Sequence, residues 1–383
     1  MKHIRLTLSI FMLLGFYSLG YAQTPVTTDP DSTCAGALGE IYIVNPVPTS
    51  TFNWSVTGTG HILHSSNTHE VTVDWSIIPG VDTLKVQQID EFGCPADLVK
   101  LTVIRVAPPT AFAGVDATIC SSGTYTISDA TASSYKTLLW TSSGDGVFSD
   151  ASVLNPTYTP GPNDIAAGSV TLTLTANPIA PCSEPASDAL VLTIVPIPIV
   201  NAGGAATICS NSTYTISSAT ASNYASLQWT TSGDGIFSDA TALNPVYTPG
   251  PNDIAAGSVT LTLTATPNAP CSDPVSDAAT LTIIPAPVAI AGPDATLCWG
   301  EVYYLDNVTI QNATSITWTT SGTGTFDNPN LHNPTYTPSE QDCQNGNVTL
   351  TLTVTGTAPC SEAQSTRQLI YRPKPVTGPI LHY

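Results

Sequence analysis

Nine cysteines recur along the chain at spacings that suit disulfide bonds. Three pairs are 62 positions apart and a fourth is 60 apart: Cys120 with Cys182, Cys209 with Cys271, Cys298 with Cys360, and Cys34 with Cys94. Free buried thiols or a zinc site are the alternatives, but zinc sites use close Cys-x-x-Cys spacing, which these pairs lack. One pair in each repeat of a secreted chain predicts one disulfide within each domain. The ninth, Cys343, aligns with Ile165 and Ile254 and is expected to be a small core hydrophobe.

Carboxylates occur in the Gly-Asp-Gly turns at Asp145 and Asp234. Turn carboxylates can bind calcium, so calcium is a possible cofactor. The equivalent positions in the other two domains are Thr59 and Thr323, so half of the repeats lack the group. Turn formation is sufficient to explain these aspartates, and we expect neither a shared metal site nor another cofactor.

Three histidines in the first part of the chain, His61, His64 and His69, could bind zinc together. They lie just past a turn, where strand alternation places such side chains at the surface. Glu70 is the carboxylate beside them, and no further acidic pattern completes a site. A solvated strand face is therefore expected rather than a metal site.

Three aromatic residues, Trp299, Tyr303 and Tyr304, lie close together in the fourth repeat, and Trp299 and Tyr304 have no aromatic counterparts in the two preceding repeats. Exposed aromatic rings can stack on sugars, so these residues are candidate ligand-facing groups. The alternative is that they pack locally in a core or an interface, as large aromatic residues usually do.

The element that positions most of these residues is a repeated 19-residue stretch, YTPGPNDIAAGSVTLTLTA, at 158–176 and unchanged at 247–265. A diverged copy begins at Tyr336, and the offset is 89 residues each time. Hydrophobic residues alternate with threonine over its last part, which predicts a strand with one buried face. Within it, Asp253 is expected to be the N-cap of one helical turn that Gly257 closes. Asp164 and Asp342 occupy the same position in the other copies.

Six or seven short strands per repeat, separated by turn residues, predict an all-β chain of tandem β-sandwiches. The expected domains are 23–107, a divergent member, then 108–196, 197–285 and 286–383. The first cysteine of each pair should end the first strand, and the second should lie in the loop before the last strand. The junctions are short and contain proline, which favours semi-rigid links and a rod on the order of 120–160 Å long.

The most distinctive motif is Trp-x3-Gly-x-Gly, which begins at Trp54, Trp140, Trp229 and Trp318. It predicts a hairpin in which the Trp fills the core and the glycines adopt positive φ. A hydrophobic residue two positions later should return to the core; these residues are Ile62, Phe148, Phe237 and Phe326.

This motif resembles the W-x-F-G-D-G signature of PKD domains, which are Ig-like β-sandwiches. It differs by one extra residue between Trp and Gly and by Ser or Thr in place of the aromatic residue. The chain after residue 22 is similar to the PKD-like and Ig-like repeats of large adhesins that gliding bacteria secrete. That resemblance implies an extracellular spacer or adhesion module.

Residues 1–22 combine Lys2 and Arg5, an apolar run and a Gly-Tyr-Ala end, which is typical of a cleaved secretory signal peptide. A membrane anchor is the alternative, but the apolar run is short. We therefore expect a secreted, extracellular chain, associated with the cell surface and without a transmembrane segment after cleavage. The formal net charge of −19 disfavours nucleic acid as a partner.

No nucleophile elbow, phosphate-binding loop or metalloprotease helix occurs in the sequence. The leading hypothesis is a non-catalytic structural or adhesion protein whose partners are other surface proteins or surface glycans. The alternatives are a carbohydrate-binding protein that uses Trp299 and its neighbours, and the non-catalytic part of a larger secreted hydrolase.

Overall fold

The computed structural model describes residues 5–6, 30–65 and 67–380. The expected signal peptide, residues 1–22, lies outside the described residues apart from strand β1, Arg5–Leu6. The chain divides into two compact units, 1–196 and 197–383, at the junction expected between the second and third domains. Each unit holds two sandwiches, so the prediction of an all-β chain of tandem sandwiches is confirmed. Within the described part of the chain, no helix is long and apolar enough to cross a membrane.

The first sandwich has two four-stranded sheets, with strand orders β2-β8-β7-β4 and β1-β3-β6-β5. Its strands after β1 are β2 (Asp31–Cys34), β3 (Glu40–Val44), β4 (Thr51–Val56), β5 (Ile62–His64), β6 (Glu70–Asp74), β7 (Gly80–Ile89) and β8 (Val99–Val106). The two inner faces enclose one hydrophobic core around Trp54 and Trp75.

The second sandwich pairs a four-stranded sheet, β10-β17-β16-β13, with a layer of two small sheets, β11-β15-β14 and β12-β9. Its elements are β9 (Thr110–Phe112), β10 (Ala117–Cys120), β11 (Tyr125–Thr126), β12 (Thr131–Ser133), β13 (Tyr135–Ser142), β14 (Val147–Phe148), β15 (Thr157–Thr159), α1 (Pro162–Ala167), β16 (Ser169–Pro178) and β17 (Ala186–Val195).

The third sandwich repeats this arrangement, with sheets β19-β26-β25-β22, β20-β24-β23 and β18-β21. Its elements are β18 (Ile199–Asn201), β19 (Ala206–Cys209), β20 (Tyr214–Thr215), β21 (Thr220–Ser222), β22 (Tyr224–Thr231), β23 (Ile236–Phe237), β24 (Val246–Thr248), α2 (Pro251–Ala256), β25 (Ser258–Pro267) and β26 (Val275–Ile284).

The fourth sandwich has the same plan, with sheets β28-β35-β34-β31, β29-β33-β32 and β27-β30. Its elements are β27 (Val288–Ile290), β28 (Ala295–Leu297), β29 (Tyr303–Tyr304), β30 (Thr309–Gln311), β31 (Ser315–Thr320), β32 (Thr325–Phe326), β33 (Thr335–Thr337), α3 (Glu340–Asn345), β34 (Asn347–Thr355) and β35 (Ala363–Tyr371).

The cores follow from the alternation in the sequence. In β25, Val259, Leu261 and Leu263 are buried as predicted, while the threonines between them face outward. The motif tryptophans are buried in all four sandwiches, so their predicted place in the core is confirmed; they are Trp54, Trp140, Trp229 and Trp318. Burial of such large apolar side chains is the main favourable term in the folding of each sandwich.

The aromatic residue after the turn packs against the motif tryptophan in three sandwiches. The ring centroids of Trp229 and Phe237 are 5.8 Å apart, and those of Phe237 and Tyr247 are 4.9 Å apart. In the first sandwich the equivalent residue, Ile62, is exposed, and Leu63 packs against the core instead. The prediction for this position is therefore wrong in the divergent domain.

In each sandwich the first strand of the main sheet lies parallel to the last strand. Cys34 at the end of β2 is opposite Val106 at the end of β8, and Cys209 is opposite Ile284 in the same way. The end of the first strand and the loop before the last strand therefore lie at opposite ends of a sandwich. A ten-residue last strand such as β26 separates them by about 33 Å.

Because of this separation, the predicted pairing within domains is wrong. Cys34 bonds to Cys182, with a Cα–Cα distance of 4.8 Å, and Cys209 bonds to Cys360, with a Cα–Cα distance of 4.9 Å. Each bond joins the two sandwiches of one unit, because the cysteine loop before the last strand of the second sandwich in that unit faces the first sandwich. A separation near 30 Å far exceeds the reach of a disulfide, which needs Cα atoms within about 7 Å.

The remaining cysteines fall into two groups. Cys120 and Cys271 are disulfide-bonded. Cys94 and Cys298, which were expected to be bonded, are exposed free thiols. Cys343 is a free thiol buried in the fourth core, which confirms its expected role as a small hydrophobe.

Peptide mapping of the monomeric protein under non-reducing conditions tests this pairing. We expect linked peptides that contain Cys34 with Cys182 and Cys209 with Cys360. Cys94 and Cys298 should react with iodoacetamide before unfolding, and Cys343 only after it, because of their exposure. A reduced and alkylated sample is the control. Linked peptides that join Cys34 to Cys94 would contradict the structure.

Candidate functional site

A buried aspartate at the Trp-x3-Gly-x-Gly turn is the polar constellation that recurs in three sandwiches. In the third, Asp253 is 2% exposed. Its Oδ2 accepts hydrogen bonds from the hydroxyl of Tyr247 at 2.6 Å and from the amides of Gly235 and Gly250 at 3.0 and 3.1 Å. Its Oδ1 accepts the amide of Asp234 at 3.1 Å. One carboxylate thus connects the turn, the strand β24 and the start of α2.

The same four contacts occur in the neighbouring repeats. Asp164 accepts hydrogen bonds from Asp145, Gly146, Tyr158 and Gly161. Asp342 accepts them from Thr323, Gly324, Tyr336 and Ser339. We call this arrangement of the aspartate, its tyrosine and the turn the aspartate clamp.

The helical turn that carries the clamp is present as predicted, but the prediction that Asp253 is its N-cap is wrong. Asp253 is the third residue of α2, and the N-cap is Gly250. Gly257 adopts φ 76° and closes the helix as expected. The carboxylate accepts the amide of the N-cap Gly250 and also reaches the amides of the Trp-x3-Gly-x-Gly turn. The sequence contained a signal for this, because Tyr247 precedes Asp253 by six positions in every copy of the repeat.

The aspartate of the turn, Asp234, also contacts the helix. Asp234 Oδ1 accepts the amides of Asn252 and Asp253 at 3.1 and 3.2 Å, which are free amides at the start of α2. Its role is thus to cap a helix in a neighbouring segment. Among the described residues, no group of three or more His, Cys, Asp or Glu side chains is placed to hold a metal.

The fourth sandwich exchanges both partners of this contact. Thr323 replaces the turn aspartate, and Ser339 replaces the glycine at the N-cap. Ser339 Oγ accepts the amide of Asp342 at 3.1 Å, so the helix caps itself. The hydroxyls of Thr323 and Ser339 are 2.6 Å apart and hold the turn to the helix.

Close packing against the clamp explains the turn glycines. A Cβ on Gly233 would overlap Asp253, and one on Gly235 would overlap the hydroxyl of Tyr247. The expected positive φ occurs in the first sandwich, at Gly58 and Gly60, but not at the turn glycines of the other three. There the glycine is required by space rather than by backbone conformation.

Charge in the clamp is fixed at neutral pH. Burial opposes ionisation, but the Tyr247 hydroxyl and three backbone amides hold the pKa of Asp253 below its ordinary value. Burial raises the pKa of Tyr247 to about 12, and its hydrogen bond to Asp253 acts in the same direction. The aspartate is therefore an anion that accepts only, and the tyrosine is a permanent donor.

The first sandwich uses an ion cluster at the equivalent turn. Asp82 accepts a hydrogen bond from Arg105 Nε at 2.6 Å and lies 3.2 Å from His61 Nε2. Arg105 also donates to the carbonyl of Ile78. The Ser76 amide donates a hydrogen bond to His61 Nδ1 on the other side of the ring. A Cβ on Gly58 would overlap Asp82, as the clamp aspartate excludes side chains elsewhere.

The predicted histidine surface is only partly correct. The His61 side chain is 1% exposed, so its expected place on a solvated face is wrong. His64 is half exposed and lies 2.9 Å from Asp74, and His69 is exposed. The three histidines therefore do not converge. Sequence alternation failed at His61 because this residue lies in the turn before β5, where the side chain points into the ion cluster.

The three candidate ligand-facing aromatics are divided between the core and the surface. Trp299 and Tyr303 pack against the core of the fourth sandwich. The buried guanidinium of Arg367 lies 5.4 Å from the ring centre of Tyr303, a cation–π contact. Tyr304 is 58% exposed. These rings do not form a shared stacking surface.

The three clamp carboxylates should make the stability of their sandwiches depend on pH. The triple variant Asp164→Asn, Asp253→Asn, Asp342→Asn should be less stable than wild type at pH 7 and less sensitive to acid. Each clamp carboxyl group has a lower pKa in the folded protein than in the unfolded one. Its contribution to the free energy of unfolding is therefore complete above the unfolded pKa of about 3.9 and is lost as the pH falls through the folded pKa. Urea unfolding between pH 3 and 7 measures this. The exposed Asp273→Asn is the control, and parallel pH profiles for wild type and triple variant would contradict the assignment.

Thr323 and Ser339 replace Asp234 and Gly250 as a pair in the fourth sandwich. We therefore predict that substitutions at Asp234 and Gly250 are energetically coupled in the third sandwich. Asp234→Thr alone should cost about 1 kcal/mol through the lost helix cap. Gly250→Ser alone should cost about 1–3 kcal/mol because its Cβ overlaps Asp234. The double variant should recover most of both losses. Calorimetric melting of the four proteins gives the coupling, with Gly204→Ser, at an open site, as control. If the stability loss of the double variant equals the sum of the two single losses, the two residues are not coupled and the prediction is wrong.

Comparison with known proteins agrees with the architecture of the first sandwich. Residues 21–103 match the profile of the PKD-like domain family. No curated protein matches the chain. Among solved structures, the chain is similar to protocadherin gamma B7 extracellular cadherin domains 1–4, at 13% identity and a TM-score of 0.38, covering 90% of this chain and 100% of that one. It is similar to Sidekick-1 immunoglobulin domains 1–4, at 12% identity and a TM-score of 0.28, covering 91% and 98%. Drosophila N-cadherin EC1–4 is another match, at 12% identity and a TM-score of 0.30, covering 90% and 98%.

Proposed function

We propose that this protein is an extracellular, cell-surface structural protein that serves as a stalk or an adhesive fibre segment and has no catalytic activity. The observation that supports it best is the pair of disulfides that join successive sandwiches. A bond within a domain stabilises that domain, whereas a bond between domains resists their separation. Disulfides also persist in oxidising compartments, which supports a location outside the cytoplasm.

The polar constellations support a structural role as well. The clamp carboxylates are buried, and their oxygens are occupied by backbone amides and a tyrosine hydroxyl. A catalytic acid or nucleophile needs access to substrate, which a fully engaged buried group lacks. The same clamp appears in three repeats, as expected for a device that holds a turn.

Adhesion to surface proteins or glycans is part of this proposal. A carbohydrate site on Trp299, Tyr303 and Tyr304 has less support, because two of the rings pack against the core. The elongated arrangement expected from the proline-containing junctions stays a prediction.

Single-molecule stretching between the termini tests the structural role. The cysteines of the Cys34–Cys182 and Cys209–Cys360 bonds are 148 and 151 positions apart in the sequence. Reduction of each bond should therefore lengthen the stretched chain by about 50 nm. The oxidised protein should not show this additional extension. The double variant Cys34→Ser, Cys182→Ser should reach an extension between those of the oxidised and the reduced proteins, because the other disulfides remain. Equal extension with and without reductant would refute the role of these bonds in resisting tension.

A further inference from the structure

Each bonded joint has two halves, and these halves have a fixed position in a sandwich. One half is the cysteine at the end of the first strand, such as Cys34 or Cys209. The other is the cysteine in the loop before the last strand of the next sandwich, Cys182 or Cys360. Cys182 Sγ lies 3.6 Å from the carbonyl of Val106, and Cys360 Sγ lies 3.5 Å from that of Ile284, at the end of the preceding sandwich's last strand.

Cys298 carries the first half without a partner. It follows β28 and begins a turn in which the amide of Glu301 donates to the Cys298 carbonyl at 3.1 Å. The bonded cysteines begin the same turn: Ala37 donates to the Cys34 carbonyl at 3.0 Å, and Ser212 to the Cys209 carbonyl at 2.9 Å. The Cys298 thiol is thus exposed on a turn already shaped like those of the joints.

Cys94 carries the second half without a partner. It lies in the loop between β7 and β8, where its amide donates to Asp90 Oδ1 at 2.7 Å. Two positions before it, Phe92 is 83% exposed. The bonded loop cysteine Cys182 is buried, with 7% exposure. The thiol and the phenylalanine are thus both exposed at a position that corresponds to the covered cysteine of the bonded joint.

We propose that Cys298 of one chain forms a disulfide with Cys94 of a second copy of this chain, so that molecules are linked head to tail. The nine cysteines all lie within the described residues, and among them only Cys94, Cys298 and the buried Cys343 are free. The two exposed thiols are complementary halves of one joint. Such a contact uses two different surfaces, so it repeats and builds an open fibre rather than a closed dimer.

The chemistry is thiol–disulfide exchange with a small-molecule disulfide as oxidant. The Cys298 thiolate attacks one sulfur of the oxidant, forms a mixed disulfide and releases one thiolate. The Cys94 thiolate of the second copy then attacks the Cys298 sulfur and releases the second thiolate. Two protein thiols lose two protons and two electrons, and the oxidant becomes two thiols.

The inference rests on the bonding pattern rather than on the proposed stalk function, and either can fail alone. The test uses the chain from residue 23 with glutathione disulfide as the oxidant, analysed by non-reducing electrophoresis and mass mapping. Wild type should form a ladder at multiples of the chain mass, linked by Cys298–Cys94 peptides. Cys94→Ser and Cys298→Ser should each remain monomeric when alone. When mixed, they should give a dimer, at least tenfold above either variant alone, and no larger species.

Two controls keep the test decisive. Cys343→Ala should keep the ladder, because that thiol is buried and plays no part. Circular dichroism melting should be unchanged in the two serine variants, since both positions are exposed. Symmetric dimers of either single variant, a bond between Cys94 and Cys298 of one molecule, or the absence of any ladder would overturn the proposal. Pairing of Cys298 with a cysteine of a further repeat in a longer chain would also overturn it.

Discussion

The structure depends on a buried carboxylate that accepts hydrogen bonds from four donors. In the third sandwich, Asp253 ties the turn after Trp229 to strand β24 and to helix α2. Removing a buried acceptor would leave several donors without partners, and each such donor costs on the order of 1–3 kcal/mol. The turn, the helix and the glycines around them are therefore constrained together, because the same carboxylate fills the space that any side chain there would need.

The parallel pairing of first and last strands sets the direction of every domain. It places the chain's exit and the first-strand cysteine at one end, and the cysteine loop before the last strand at the other. A sandwich built this way has two different ends, each with one half of a joint. Disulfides between domains are thus a geometric consequence of strand order, because the two cysteines of one domain are too far apart to meet.

Much of this could be predicted from the sequence. Alternation gave the strands and the buried face of β25, and the Trp motif gave the core, because both depend on local periodicity. The disulfide pairing could not be predicted from spacing. Every repeat carries both cysteines, so a shift of one 89-residue repeat changes each partner and leaves the cysteine positions unchanged. Only the parallel neighbour of the first strand, a non-local fact, decides between the two pairings.

The paired replacement of the helix-capping residues between the third and fourth sandwiches could not be predicted from the sequence for a related reason. Asp234 and Gly250 are 16 positions apart, and each looks like ordinary turn chemistry when considered alone. Only their contact across the fold reveals that Thr323 and Ser339 replace them as a pair. Likewise, His61 follows a local pattern that suits the surface, but Arg105 and Asp82 are brought to it by β7 and β8.

Strand order and bonding together determine how tension would pass through a joint. In a sandwich pulled by its ends, force enters the first strand and leaves the last, and these strands are parallel neighbours, so their hydrogen bonds are loaded in shear. The disulfide at Cys34 or Cys209 leaves from the far end of the first strand and connects directly to the next sandwich. Tension can then bypass the sheet through a covalent bond. Since forced unfolding is governed by the rate of barrier crossing, a path that avoids the sheet protects every hydrogen bond inside it.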